Sequence, residues 1–195
     1  FEPTSGKILL DNTNILDFSN DTYSSLISIV NQKPFIFNMS IRKNLDFVDK
    51  NIENQIEACK KAGIHDFIET LPDGYNTILR ENGSNISGGQ KQMISIARTI
   101  LSKSEVILLD DITTSLDPDT AKLVPRLINE LKKDHTIIMV TKKPDLMRKA
   151  DRIVVLNNGT ITTVGTHKQL IEKSEIYRML QSRKSPSRIG VFDND

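Results

Sequence analysis

A helix start and a strand end, lying close together in the chain, constrain its fold more than any other feature. Ser87-Gly88-Gly89-Gln90 comes about twenty residues before Val106-Ile107-Leu108-Leu109-Asp110-Asp111. The two glycines let the backbone turn tightly and approach a ligand with no Cβ in the way. Behind them Met93, Ile94, Ile96, Ala97, Ile100 and Leu101 keep a helical period. A helix that begins on Ser-Gly-Gly is an anion site, because its first N–H groups lack intrahelical acceptors and the positive end of its dipole points outward. The Val-Ile-Leu run reads as a buried parallel strand with acids at its carboxyl end, where open α/β sheets bind ligands. Either feature alone is weak; their order and spacing carry the reading.

The bulk properties exclude several classes. A length of 195 residues suits one domain, or one domain with an inserted subdomain. A net charge of +1 argues against a dedicated nucleic-acid binder, and the absence of Trp with 5% aromatics argues against base-stacking platforms. The lone Cys59 has no intrachain disulfide partner, which suits a reducing cytoplasm, and it sits in an amphipathic stretch as a packing residue. Within these 195 residues no apolar run approaches the ~20 residues of a membrane helix and none reads as a signal peptide; because the chain is read as a fragment, this says nothing of the parent protein.

The pattern along the chain predicts short strands at Ile8-Leu9-Leu10 and Leu26 to Val30, then a mostly helical region over 39–101 broken at Gly63, at Pro72-Asp73-Gly74 and at Gly83. Strands return at 105–110, 136–140 and 152–156, with a helix at about 119–133. Asn157-Asn158-Gly159 is a hairpin turn signal leading into 160–164. Two short helices follow, at about 166–172 and 174–182, and a polar segment over 183–195 reads as a disordered tail.

Taken together, these segments resemble the nucleotide-binding domain of an ATP-binding cassette (ABC) transporter, from Glu2 to about Leu180. Ser87-Gly88-Gly89-Gln90 looks like the family signature, and Ile29 through Gln32 to Phe37 and Asn44 like its Q-loop. Leu71-Pro72-Asp73-Gly74-Tyr75 and Glu81-Asn82-Gly83 resemble the exporter branch, and Gly165-Thr166-His167 with Leu170 matches the closing segment. The resemblance implies an α/β fold: a P-loop NTPase (RecA-like) core with a mainly parallel sheet and an inserted helical subdomain at about 39–101. It makes residues 1–182 a partial domain. Gly6-Lys7 is not the P-loop, because Phe1 and Ile8 stand where that motif needs a Gly and a Ser or Thr. The chain, which opens on Phe1 in mid-pattern, is read as a fragment whose P-loop lies upstream.

The resemblance also implies roles. Asp110 would hold Mg²⁺, and Gln32 would sense Mg²⁺ and the lytic water while linking the two subdomains. Ser87, Gly88, Gly89 and Gln90 would cap the γ-phosphate of ATP held by a second such domain packed head to tail, and Asp117, in a Ser115-Leu116-Asp117 stretch that resembles the D-loop, is counted among the nucleotide-binding residues. Two positions depart from the family at the hydrolytic site. Asp111 replaces the Glu that polarises water, so its carboxylate falls short by roughly 1.5 Å, and a misplacement near 1 Å costs about 10²-fold. Lys142 replaces the switch His, and an ammonium donates hydrogen bonds but accepts none. Ile86 and Met93 are milder departures from Leu and Arg. Glu81 is expected to contact a transmembrane coupling helix.

The reading is therefore the ATP-binding subunit of a heteromeric exporter on the cytoplasmic face of the membrane, with its own site degenerate and no role for nucleic acid. Its partners are a second nucleotide-binding domain and a transmembrane domain upstream. The alternatives are an active homodimeric exporter, a nucleotide-binding regulatory module without turnover, and a soluble ATPase of the same family acting on nucleic acid or ribosomes. Without a P-loop, these 195 residues alone are expected to bind ATP weakly.

Overall fold

The computed structural model describes residues 2–182, so the tail expected over 183–195 lies outside the described residues. The chain divides into two units, one up to Val140 and one from Thr141 onward.

The first unit is organised on a three-stranded parallel sheet. Its strands are β3 (Ile27–Val30), β4 (Val106–Asp110) and β5 (Thr136–Val140), with β4 in the centre. Ile27 pairs with Val106, and Asp110 pairs with Val140. The aliphatic run of β4 suits this central place: Val106, Ile107 and Leu109 are buried. Its first acid, Asp110, emerges at the carboxyl end.

Ahead of the sheet, β1 (Leu9–Leu10) and β2 (Thr13–Asn14) form a small antiparallel pair. Asp11 and Asn12 turn the chain with φ of 46° and 67°, the left-handed pair that a two-residue hairpin turn needs. Helix α1 (Asn20–Leu26) follows, capped by the Ser19 hydroxyl.

Between β3 and β4 lie the expected inserted helices, α2 (Ile41–Asp46), α3 (Ile52–Ala62), α4 (His65–Glu69) and α5 (Gly88–Ser102). Asn51 caps α3, and Gly63 ends it at φ 76°. Short 3-10 turns at Gly74–Asn76 and Glu81–Gly83 occupy the predicted breaks. Leu45, Ala58, Cys59, Ile68, Leu79, Met93, Ile94 and Ala97 form the core between these helices. Each large apolar side chain there contributes about 1.5–3 kcal/mol. Burial pushes the Cys59 thiol up to about 11, a hydrogen bond with Tyr75 acting in the opposite direction. The thiol stays protonated and serves packing. Helix α6 (Pro118–Leu131) joins β4 to β5 and buries Val124, Leu127 and Leu131.

The second unit contains α7 (Pro144–Met147), an antiparallel hairpin of β6 (Ile153–Asn157) and β7 (Thr160–Gly165), α8 (His167–Lys173) and α9 (Glu175–Ser182). Asn158 and Gly159 form the hairpin turn with φ of 48° and 77°, as the sequence predicts. Met147, Val155, Leu170 and Tyr177 make its core. Among the described residues, no helix is long and apolar enough to cross a membrane.

Candidate functional site

The site grows from the start of α5. Ser87 and Gln90 cap it reciprocally: the Gln90 N–H donates to the Ser87 hydroxyl at 3.2 Å, and the Ser87 N–H donates to the Gln90 side-chain carbonyl at 2.8 Å. The Lys91 N–H then opens the helical ladder by donating to the Ser87 carbonyl at 3.0 Å. This leaves the Gly88 and Gly89 N–H groups as the donors at the helix tip. The two glycines have a further role that the sequence does not reveal. A Cβ on Gly88 would lie 3.3 Å from the Ser115 carbonyl oxygen, and one on Gly89 would lie 3.3 Å from Asp117 Oδ2. Their bareness lets the segment Ser115–Asp117 lie directly against the helix tip.

Asp117 is itself engaged. Its carboxylate caps α6, accepting from the N–H groups of Asp119 and Thr120 at 3.1 and 3.0 Å and from the Thr120 hydroxyl at 2.6 Å. The Thr120 hydroxyl, together with the N–H groups at the helix start, holds this exposed carboxyl below the usual aspartate range. Asp110 is exposed and Asp111 half-buried at the end of β4. Asp111 takes φ of 41°, a left-handed backbone that Asp tolerates better than most residues. Its N–H donates to the Val140 carbonyl at 2.9 Å, which fixes it beside the end of β5.

The loop that follows β3 carries Gln32 to the same region. The Ser115 hydroxyl donates to the Gln32 carbonyl at 3.4 Å, so this loop, the Ser115–Asp117 segment and the tip of α5 form one neighbourhood. Two residues of α5 that the sequence motifs do not single out hold the loop. Gln92 donates its side-chain amide to the Asn31 carbonyl at 3.2 Å. Arg98 donates to the carbonyls of Phe35 at 2.7 Å and Asn44 at 2.8 Å, and also to the Asn44 side-chain oxygen. The Asn44 amide in turn donates to the Phe37 and Ser40 carbonyls, both at 3.0 Å. The Arg98 guanidinium lies 5.8 Å from the centre of the Phe37 ring, and burial lowers its pKa. A signal for Gln92 was present: the helical period places it on the buried stripe with Ile96 and Thr99.

Beside this loop a surface groove of about 520 Å³ opens, lined by Ser28, Ser95, Arg98 and Thr99 with Phe35 and Phe47 among its walls. Phe35, Phe37 and Phe47 are exposed, Phe35 meeting Phe37 edge to face and Phe37 packing at a tilt on Phe47, with ring centres 4.8 and 4.7 Å apart. Exposed aromatic clusters of this kind mark interaction surfaces.

Lys142 is exposed in the second unit, on the link between β5 and α7. Glu81 is exposed at the start of a 3-10 turn whose Asn82 has φ of 49°. Each histidine has a local partner: His65 pairs with the Tyr75 hydroxyl, His135 donates to the Ser104 carbonyl, and His167 pairs with the Tyr177 hydroxyl. Among the described residues, no group of three or more His, Cys, Asp or Glu side chains is placed to hold a metal. The donors at the strand end nevertheless fit Mg²⁺, a hard cation that takes one or two protein oxygens and fills its shell with water and phosphate. The Asp110 carboxylate and the Gln32 side-chain carbonyl are oxygens of that kind, and neither residue is buried. The bare N–H pair of Gly88 and Gly89 fits an anion.

The chain is similar to known proteins over most of its length. The family model described as ABC transporter matches residues 1–114. The ABC transporter ATP-binding protein YknU of Bacillus subtilis is 39% identical over 182 residues, covering 92% of this chain and 31% of the relative. ATP-binding cassette sub-family B member 5 of Homo sapiens is 37% identical over 189 residues, covering 95% of this chain and 15% of the relative. A bacterial Atm1-family ABC exporter, solved with ATP bound, superimposes with a TM-score of 0.89 at 29% identity, covering 94% of this chain and 33% of that one. The chain thus spans a third or less of the length of these relatives.

Proposed function

The chain belongs to the ABC transporter family, and on that premise we propose that it is the ATP-binding part of an exporter whose own hydrolytic site is weakened. The observation that carries this reading is the close packing of the Gly88-Gly89 helix tip on Ser115–Asp117 beside the Gln32 loop. That arrangement presents the helix tip, where Gly88 is exposed and Gly89 lies buried behind it, to an anion arriving from outside the chain. The anion is the γ-phosphate of ATP held by a second nucleotide-binding domain. Ser87, Gln90 and Asp117 hold the presenting elements in shape. Asp110 and Gln32 would hold Mg²⁺ through their side-chain oxygens, and the ion would neutralise phosphate charge.

The weakness lies in Asp111 and Lys142. Asp111 is one methylene shorter than the Glu of the family pattern, and Lys142 donates to a phosphate but accepts nothing from the attacking water. ATP bridging the two domains closes them, and hydrolysis at the partner's intact site reopens them, which makes the interface a ligand-biased two-state element. A heterodimer follows from this asymmetry. The parent protein acts at the membrane, with these domains on the cytoplasmic face. The exposed aromatic cluster of Phe35, Phe37 and Phe47, together with Glu81, offers a surface to the transmembrane partner.

One observation favours a second reading, an active homodimer. Asp111 takes a left-handed backbone at φ 41°, and on this reading that local shift restores the reach lost with the missing methylene. Single-turnover hydrolysis by the intact protein separates the two readings. Asp111→Glu is expected to raise the rate at this site by at least about ten-fold. No gain would contradict the weakened site and support the homodimer.

A further inference from the structure

We propose that Gln92 is a positioning residue: by donating to the Asn31 carbonyl it ties the Gln32 loop to the helix that starts at Ser87, so that loop and helix move together.

The hydrogen bonding of Gln92 is unbalanced. The residue is completely buried, yet its side-chain oxygen has no hydrogen-bond partner. A buried acceptor left unmade is costly, and an apolar side chain of the same length would fill this space without that cost. What the amide provides instead is one directional bond, 3.2 Å long, to a residue 61 positions away. Asn31 gains no satisfaction that it lacks otherwise, because it is exposed and water can serve its carbonyl. The bond therefore fixes a position.

That position matters because of its neighbours. Gln92 is four residues beyond Gly88, one helical turn along the same face. Asn31 immediately precedes Gln32. On the other side of Gln32, Arg98 of the same helix holds the Phe35 carbonyl at 2.7 Å, and the Ser115 hydroxyl holds the Gln32 carbonyl itself at 3.4 Å. The loop is thus gripped before and after Gln32 by one helix. A displacement of α5 at its phosphate-facing tip reaches Gln32 without crossing a flexible joint. The nucleotide part of this assignment rests on the proposed function; the tie itself does not.

The experiment places a nitroxide at Lys33→Cys in the intact protein and reads its motion by electron paramagnetic resonance. Cys59 is buried and stays unlabelled. Without nucleotide, Gln92→Met is expected to raise the mobile fraction of the label at least about two-fold while Tm moves by less than about 3 °C. A control label at Lys60→Cys on α3 should not change. An unchanged spectrum at position 33 overturns the proposal. So does a parallel loosening of the control label with a large fall in Tm, which would make the amide a general packing group. Ser115→Ala changes an exposed residue and leaves folding intact. It should also mobilise the label, and a label that stays restrained there counts against side-chain ties as what holds the loop. Mg-ATP should immobilise the label in the parent protein and fail to do so in Gln92→Met. An equal response in both overturns the coupling. No response in the parent contradicts the nucleotide reading, while the nucleotide-free comparison still decides the role of Gln92.

Discussion

At the scale of single residues, the side chains around the tip of α5 divide into those that hold shape and those left open to a ligand. Ser87, Gln90 and Asp117 are consumed by helix caps, whereas Asp110 and the Gly88 and Gly89 N–H groups are not. Asp117 makes this distinction measurable. Its carboxyl is held below the ordinary aspartate value by the Thr120 hydroxyl and N–H groups. A depressed folded pKa gives stability that is complete above the unfolded value and is lost as pH falls through the folded one. Asn caps a helix about as well as Asp but does not titrate. Thermal melts from about pH 7 down to about pH 3 should therefore show Asp117→Asn matching the parent near neutrality and losing less stability in acid. Identical acid limbs would show that the ionised cap adds nothing to stability. The motif residues were legible in the sequence because each belongs to a short, ordered pattern. The close approach of Asp117 to Gly89 was not, because it depends on segments that meet only after folding.

At the scale of elements, the sheet strands β3, β4 and β5 and the helices α3, α5 and α6 were readable from apolar runs, helical period and breaks at Gly63 and Gly83. Helix α1 escaped because Asn20-Asp21-Thr22 and Ser24-Ser25 favour caps and turns over helix interiors, and only the Ser19 cap announces it. The pair β1–β2 escaped because its turn is Asp11-Asn12, without the glycine that marked the later hairpin. Arg98 escaped for a different reason. A charged residue in an amphipathic helix reads as solvent-facing, and its partner at Phe35 lies 63 positions away. Its fork reaches three acceptors on two segments, a geometry that a lysine ammonium does not reproduce. Arg98→Lys is expected to cost about 2 kcal/mol, lowering Tm by about 4–8 °C. It should also loosen the segment from Phe35 to Asn44 before the rest of the chain, as read by amide hydrogen exchange. A Tm within about 1 °C of the parent would show that the latch is dispensable.

At the scale of the whole molecule, the proposed function assigns the helix tip and the acids of the strand end to different nucleotides. On that proposal the tip serves ATP held by another domain, while Asp110, Asp111 and Lys142 belong to this chain's own hydrolytic machinery. The family and the α/β layout were legible because motif order survives even where single catalytic positions differ. Asymmetry between two sites is a property of a pair, so one sequence states only half of it. The direct measurement is steady-state ATP hydrolysis by the intact protein in nanodiscs, alone and together with its candidate partner. A weakened site predicts activity only with the partner, lost when the partner's catalytic carboxylate is replaced. Robust activity by the protein alone, abolished by Asp111→Asn, would contradict that asymmetry and establish a self-sufficient homodimer.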